Sequence, residues 1–371
     1  QCISNRFSPI CLSKARVSHT NVNGRAKQTG LALVTVLMVF AIAALVATKI
    51  TVGKMIDVKR TTSMVNRTQA YYYALAAEEL AILALREDGT ADAEVSPVED
   101  IPGDHFDEYW AQSALPLEID SIGSVAIQIT DLHRFYNLNN LLQYDGKAHN
   151  AEAKRFRYLL EELDLDPELA DNLADWLDVD DKEAGYLSES NSYNRERPPY
   201  AASNGLLTDI SELRLVRGFT PEVMAKLSPH ITVVKNDGVL PLNMNTATEY
   251  ALTSIPNSNS QSGSGLSKAN DIISDRSQPY KRIATSRLET FKLATQSEFN
   301  ESAPLTGAPN KIIYQTYSNY FEINVRANYA GSVAFLTTVV YRKLGAKPKI
   351  EILSRRETDN SARFIRAASG V

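Results

Sequence analysis

The chain has 371 residues, enough for two or three domains, and its apolar and charged fractions, 44% and 22%, are those of a globular protein. Its formal net charge is −5, from 44 acidic and 39 basic residues. Because an acidic surface repels phosphate backbones, this composition argues against nucleic acid as a partner.

The two cysteines, Cys2 and Cys11, lie upstream of the first apolar segment. If residues 1–30 are removed, the rest of the chain can form neither a disulfide nor a cysteine-based metal site. An exported domain without disulfides needs a large core or another staple, such as a bound metal.

A basic, polar leader precedes an apolar run from Leu31 to Ala47. A run of about 17 to 18 residues is near the lower length limit for a helix that crosses a bilayer. The basic residues predict that the leader stays cytoplasmic and that the rest is exported. A secretory signal would have a small-residue cleavage site after the run, and the sequence has none there. Two interpretations remain open: cleavage between Gly30 and Leu31, and an uncleaved signal anchor.

The helical pattern continues beyond the apolar run. No proline occurs between Thr48 and Arg86, and apolar or aromatic residues recur at broadly helical spacing. A helix from Leu31 to Leu85 would be about 80 Å long at 1.5 Å per residue. A helix of this length, half in lipid and half packed on a globular head, is the architecture of a pilin.

Strand and helix patterns alternate along the remaining chain. Strand patterns occur at Ser124–Asp131 and, after Pro309, at Tyr320–Ala327, Val333–Tyr341 and Lys349–Leu353. Helical patterns lie between them, at Ala153–Leu163, Pro167–Leu177, Leu213–Val216, Pro221–Leu227, Ala247–Ser254 and Lys268–Arg276. The end of the chain has the composition of a flexible tail, with solvated charges at Arg355, Arg356, Arg363 and Arg366.

These patterns predict an α+β protein with a pilin-like fold, in which a long N-terminal helix lies on an antiparallel sheet and a large α-helical domain is inserted into the head. The predicted segments are a leader (1–30), a transmembrane and pilin helix (31–86), the first part of the head (87–136), the inserted domain (137–308), the C-terminal strands (309–355) and a tail (356–371).

The densest group of carboxylates follows Asp175. It consists of Asp175, Asp178, Asp180, Asp181, Glu183 and Glu189. Such carboxylates repel each other unless a cation lies among them, and Ca²⁺ takes about six to eight oxygen ligands. The spacing is not that of an EF-hand, because Lys182 and Glu183 stand where that loop needs a ligand and a glycine. The residues alone leave open a different Ca²⁺ loop and a solvated acidic helix end.

Several motifs in one order resemble the type II secretion minor pseudopilin K family. The junction of Gly30 and Leu31 resembles a prepilin peptidase site, with Thr35 at mature position five, where most pilins carry Glu. The other matching motifs are Asp131-Leu132…Asn137-Leu138-Asn139, Asp175–Asp180, Pro198-Pro199-Tyr200…Asn204, Ser211–Phe219 and Asn243–Ala247.

The resemblance implies Ca²⁺ held by Asp178, Asp180, Asp181 and Glu189, and a place at the tip of the pseudopilus. It implies minor pseudopilins I, J and H as partners, contact with secreted substrates, and a prepilin peptidase that cuts after Gly30, with methylation of the new N-terminus. The chain would cross the bacterial inner membrane once, with a periplasmic C-terminal domain. Within a membrane a buried Glu needs a charged partner, so Thr35 suits a subunit that has none above it.

Two other functions fit parts of the sequence. Asn243–Arg276 resembles one helix-hairpin-helix unit of competence-type DNA receptors, although its Gly-Ile-Gly hairpin is replaced and a dense basic patch is missing. A membrane-anchored hydrolase that uses Asp178 or Asp180 is the second alternative, although no His lies near these carboxylates in the sequence. We expect assembly rather than catalysis, with the chain capping the filament and helping to initiate it.

Overall fold

A computed structural model describes residues 29–94, 103–112, 117–119, 121–143, 146–179, 193, 198–236, 238–257, 262–281, 291, 293, 313–344 and 347–357. The chain divides into two compact units, residues 1–62 and residues 63–371. Asp180, Asp181 and Glu189, the leader before Thr29, and the predicted tail beyond Glu357 lie outside the described residues.

Helix α1, Thr29–Glu94, confirms the predicted N-terminal helix and continues past its expected end at Arg86. Every described side chain from Ala32 to Val52 is exposed. By length and composition, α1 contains a stretch apolar enough to cross a bilayer, and none of that stretch is buried. So much exposed apolar surface needs lipid or other subunits around it.

The strands of the described residues form one main sheet and two short pairs. The main sheet is antiparallel, with the order β1 (Leu117–Glu118), β2 (Gly123–Asp131), β7 (Tyr320–Tyr329), β8 (Ser332–Lys343) and β9 (Lys349–Arg356). The parallel pairs are β3 (Tyr136–Asn137) with β4 (Ile231–Thr232), and β5 (Leu242–Asn243) with β6 (Tyr314–Gln315). The long predicted strands are confirmed, with ends that differ by a few residues.

Helix α1 packs on the main sheet through a face of small residues. Ala74, Ala77 and Ala81 recur every three or four residues and are at most 2% exposed. Their small side chains let the helix lie close to the apolar face of β7, where Phe321 and Val325 are buried. At about 25 cal/mol per Å² of buried apolar surface, this contact is a major source of stability for the head.

Two arginines at the end of β9 are exposed, as the composition predicted, and each also forms an ion pair. Arg355 Nη2 lies 2.6 Å from Oε2 of Glu78, a buried residue of α1. Arg356 forms an ion pair with Asp209 of the inserted helical region. The ion pairs themselves were not predicted, because partners more than 140 residues away in sequence become neighbours only in the fold.

The region between β2 and β7 contains most of the helices seen after α1. Within its described residues these include α2 (Asn150–Glu162), α3 (Leu169–Leu177), α4 (Pro221–Leu227), α5 (Glu249–Thr253) and α6 (Gly265–Asp275). The predicted helix at Leu213–Val216 is instead the end of a 3₁₀ helix, Ile210–Leu215. Asp209 and Glu212 begin it with a reciprocal capping box, and the extended backbone of Val216 ends it after Leu215.

Two apolar cores stabilise this helical insertion. The first contains Phe156 and Leu159 of α2 and Leu173 of α3, all fully buried. The second contains Leu252 of α5 and Ile272 of α6. The side chain of Arg155, on α2, reaches from the first core to the carbonyl oxygen of Ser254 at the end of α5, 3.3 Å away. The two cores therefore belong to one folded insertion.

Candidate functional site

The acidic end of α3 is the described part of the predicted calcium site. Asp175 and Asp178 are each 6% exposed, although both carry a carboxylate. The backbone N–H of Asp178 donates to Ala174 O and closes the helix. The next N–H, from Val179, donates to Gly146 O at 3.0 Å. The chain is thus fixed where it enters the acidic segment.

An aromatic cluster holds the chain on the other side of that segment. The rings of Trp176, Tyr193 and Tyr200 lie 5.1 to 6.1 Å apart between centroids. Asn204 donates its backbone N–H to Trp176 O at 3.1 Å, with φ at +45°, a conformation that Asn tolerates better than most residues. Trp176, which precedes residues 180–192, therefore packs against chain that follows them.

Oxygen ligands at this place suit a hard divalent cation. Ca²⁺ is bound mainly through carboxylate and carbonyl oxygens, and the buried Asp175 and Asp178 stand three residues apart at the start of the acidic segment. Of the predicted ligands, only Asp178 belongs to the described residues. A shared site for Asp178, Asp180, Asp181 and Glu189 stays a prediction.

The structure contains a second acidic cluster that was not predicted from the sequence. Carboxylate oxygens of Asp88, Asp104 and Glu108 lie within 4.8 Å of one another. Arg342 forms ion pairs with Asp88 and Asp104, and Glu108 accepts a 2.6 Å hydrogen bond from Trp110 Nε1. Arg342 supplies one positive charge to this cluster, and His105 Nδ1 lies 3.4 Å from Glu108 Oε1, so its chemistry is that of structural ion pairs. No spacing in the sequence signals it, because Arg342 is 238 residues from Asp104.

Nearby carboxylates and burial shift the pKa of Arg342 in opposite directions. Burial alone would lower the pKa of Arg342, but the carboxylates of Asp104 and Asp88 outweigh it and raise the pKa. A hydrogen bond to Glu108 likewise raises the pKa of His105 above its ordinary value. Arg342 is therefore charged at neutral pH.

The polar motif residues around Asp131 join the sheet to the insertion. Asp131 Oδ2 accepts hydrogen bonds from Ser318 Oγ at 2.7 Å and from Asn243 Nδ2 at 3.1 Å. His133 lies beside it, where Nδ1 contacts Pro241 O at 2.8 Å and Nε2 accepts from the backbone N–H of Asn319 at 3.1 Å. These buried groups are fully engaged in holding the junction.

The asparagines of the resemblance motifs are likewise structural. Asn139 pairs with the backbone of Leu207, donating to its O at 3.1 Å and accepting from its N–H at 2.9 Å. Asn137 accepts from the N–H of Val234 at 3.0 Å. Asn245 donates to Tyr280 O at 3.1 Å and accepts from its N–H at 2.8 Å. An amide side chain can satisfy a backbone donor and acceptor together, which a buried irregular segment needs.

The segment with the DNA-receptor resemblance packs inward in the described residues. Arg276, the arginine at its end, donates from Nε to Met244 O at 2.7 Å and from Nη2 to Ala247 O at 2.9 Å. Burial lowers the pKa of Arg276 to about 10. Its guanidinium thus supports the local fold and does not face a phosphate backbone.

Comparisons with known proteins agree on one family. The family model described as type II secretion system protein K matches residues 134–236. The type II secretion system protein K of Pseudomonas aeruginosa is 34% identical over 236 residues, which cover 62% of this chain and 69% of that protein. The Aeromonas hydrophila protein of the same name is 26% identical over 344 residues, 89% of this chain and 97% of that protein. Both are named as secretion-system proteins rather than as enzymes.

A solved structure has the same fold. The crystal structure of the GspK-GspI-GspJ complex from enterotoxigenic Escherichia coli contains a chain that aligns with a TM-score of 0.55. The alignment covers 81% of this chain and all of that one, at 19% identity. The fold of this chain thus occurs in a solved complex of the type 2 secretion system. The chain belongs to the type II secretion system protein K family, the minor pseudopilin family that its motifs resemble.

Proposed function

We propose that this chain is the tip subunit of the type II secretion pseudopilus, where it helps to initiate the filament and caps it. The observation that carries the proposal is the position of the insertion on the head. The insertion leaves the main sheet after Asp131 and returns before Phe321, and these two residues are paired. All of its bulk therefore starts from one end of the sheet.

That end of the sheet is the one at which α1 finishes. Near the opposite end, the rings of Tyr73 and Tyr329 lie 5.4 Å apart. At the insertion end, Asp88, fifteen residues further along α1 by number, pairs with Arg342 of β8. A subunit that added beyond the end of α1 would meet the insertion, which supports a capping position.

Thr35 supports the same position. Its hydroxyl donates to Ala32 O at 2.9 Å, so the side chain is satisfied within its own helix. A Glu at this place would require a positive partner inside the membrane, since an isolated charge in lipid is costly. A subunit with Thr35 needs no positive partner within the membrane, and apolar contacts of α1 can hold it there.

The partners proposed for the chain are other minor pseudopilins. A chain of the same fold occurs in a GspK-GspI-GspJ complex, which supports pseudopilins I and J as neighbours. We include pseudopilin H, the prepilin peptidase and secreted substrates on the resemblance alone. The exposed apolar part of α1 supports a single-pass anchor in the inner membrane before assembly.

We further propose that Asp178, Asp180, Asp181 and Glu189 hold Ca²⁺. The buried carboxylates of Asp175 and Asp178, and the chain fixed at Trp176 on both sides of the acidic segment, support this proposal. A bound cation would offset the repulsion among the carboxylates and stabilise an insertion that has no cysteine to cross-link it.

Labelled filaments test the tip position. The chain carries an epitope after Val371 and is coexpressed with the complete pseudopilin set, and sheared pseudopili are decorated with gold-conjugated antibody. We expect one label at one end of each filament. A matched tag on the major pseudopilin should label the whole length. Labels of this chain spread along the filament would contradict the capping position.

A further inference from the structure

A groove runs along the surface of the hairpin between the 3₁₀ helix Ile210–Leu215 and α4. It consists of two adjoining depressions of about 420 and 640 Å³, which share Arg214, Phe219 and Pro221. Tyr193 and Tyr200 line the first depression.

Packing explains the inward half of the hairpin. Leu213, Val216 and Phe219 are spaced by three residues and are at most 4% exposed. Gly218 has φ at +87°, and a Cβ there would lie 2.6 Å from Leu169 Cδ2. This glycine lets the chain reverse against α3 while Phe219 turns into the core.

Packing does not explain the outward half. Arg214, Leu215 and Arg217 alternate with the core residues and are exposed, and the exposed fraction of Leu215 is 48%. Within the described part of the chain, neither guanidinium forms an ion pair. The groove also has no Asp or Glu among its described lining residues. It therefore offers two cations beside apolar surface.

The wall of the groove is preorganised. Tyr200 Oη donates to Leu215 O at 3.0 Å, and Tyr193 Oη accepts from the N–H of Arg217 at 3.4 Å. Both tyrosine rings pack on the buried Trp176. Because the backbone that carries the two arginines is fixed in this way, a ligand would lose little entropy in ordering it.

We propose that this groove docks an extended acidic segment of a partner protein. Side-chain carboxylates of that segment would bind Arg214 and Arg217, since planar guanidinium groups suit carboxylates. An apolar side chain between the carboxylates would pack on Leu215 and Met224. The inference adds a recognition surface to the tip subunit and does not depend on the calcium proposal.

Charge complementarity favours a protein over a nucleic acid. A phosphate backbone is bound through many cations at once, and this groove supplies two on a chain of net charge −5. A short peptide needs only a few charged contacts and an apolar anchor. Duplex DNA is therefore the competing occupant that the experiment must test.

Peptide binding to the full-length chain in detergent tests the proposal. The probe is a fluorescent ten-residue peptide of alternating Asp or Glu and Leu, measured by anisotropy. A peptide with Asn and Gln in place of the acids is the matched ligand. We expect the acidic peptide to bind, with affinity that falls as salt is added, and the neutral peptide to bind at least about tenfold more weakly.

Variants separate the groove from general charge. The double variant Arg214→Gln/Arg217→Gln should lower the affinity for the acidic peptide at least about tenfold. The control variant Lys235→Gln/Lys343→Gln, which removes two exposed charges elsewhere, should leave that affinity unchanged. Arg214→Glu/Arg217→Glu should instead bind a Lys-Leu peptide. Circular dichroism checks that each variant is folded. Equal binding by both double variants, no binding by the unaltered chain, or tighter binding of duplex DNA would overturn the proposal.

Discussion

Arg342 and Asp104 form an ion pair in which both side chains are fully buried. Arg342 lies on β8 near the end of the main sheet where the insertion begins, and its Nη2 also donates to Ser318 O at 3.0 Å. Its second carboxylate partner, Asp88, belongs to α1. One guanidinium therefore ties the long helix, the sheet and the start of β7 together beneath the insertion.

Removal of Asp104 should be strongly destabilising. Asp104→Ala leaves the charge of Arg342 buried with only one carboxylate, and we expect the free energy of unfolding to fall by about 3–5 kcal/mol. Urea unfolding at neutral pH, monitored by circular dichroism, measures this change in the free energy of unfolding. Asp88→Ala is the control, since the side chain of Asp88 is 17% exposed and water can partly replace it. Asp88→Ala should lower the free energy of unfolding by less than Asp104→Ala does. An equal or larger decrease would refute Asp104 as the main partner of Arg342.

The burial of His133 should make stability depend on pH. Burial lowers the pKa of His133 below 6.5, although the carboxylate of Asp131 opposes the shift. Below pH 6.5 the unfolded chain therefore binds a proton that the folded chain resists, so this contribution to stability is present above pH 6.5 and is lost as the pH falls. The free energy of unfolding should decline less steeply between pH 7 and about 5 in His133→Gln than in the unaltered protein.

His105 provides the control of opposite sign. Its pKa is raised by the hydrogen bond to Glu108, so its contribution is present at low pH and is lost as the pH rises through the folded pKa. His105→Gln should therefore make the decline on acidification steeper. If both variants change the slope in the same direction, the roles assigned to these two histidines are wrong.

Calcium should stabilise the folded chain. In detergent, added Ca²⁺ should raise the melting temperature and a chelator should reverse the rise, because a ligand that binds only the folded state shifts the equilibrium towards it. Asp180→Ala should abolish the response. Glu161→Gln, which removes an exposed carboxylate of α2 outside the acidic segment, should keep it. A melting temperature indifferent to calcium and chelator would favour a solvated acidic segment.

Processing should occur at the start of the apolar run. When the chain is coexpressed with prepilin peptidase, mass spectrometry should find a mature N-terminus at Leu31 that carries a methyl group. Gly30→Val should block the cut, while Thr35→Val, close by but outside the junction, should not. A leader that stays attached in the presence of active peptidase would support the uncleaved signal anchor.

Local patterns predicted the main elements well where one face of an element is buried. The strand β7 alternates between core residues such as Ile323 and outward residues such as Arg326, and its period of two is visible in the sequence. Helix α1 extends beyond Arg86 because its next turn still packs on the sheet, where Gly89 is buried and Asp88 pairs with Arg342 of β8. Local sequence contains no information on that packing.

Pairs that are distant in sequence could not be predicted. Glu78 and Arg355 look like ordinary surface charges, yet one is buried in the head and the other reaches it from β9. The junction of Asp131 with Asn243 and Ser318 unites three segments that share no local pattern. In each case, the choice of partner depends on how strands and helices stack.

The sequence pointed to the candidate calcium site only through its local concentration of carboxylates. The run after Asp175 concentrates carboxylates within one segment, so their repulsion can be inferred from composition alone. The burial of Asp178 and the aromatic cluster around Trp176 required the structure, because Tyr200 is 24 positions away from Trp176 by residue number.

By itself, the sequence determined the apolar N-terminal helix, the β-rich head with its helical insertion, and the family. These features depend on neighbours along the chain, whose spacing follows from the geometry of a helix or a strand. Only the tertiary structure decided that the insertion starts from the sheet end where α1 finishes, that Arg342 and Asp104 lie buried together, and that Arg214 and Arg217 face an open groove. Those relationships depend on which surfaces pack against one another, and burial of apolar area across distant segments sets that choice.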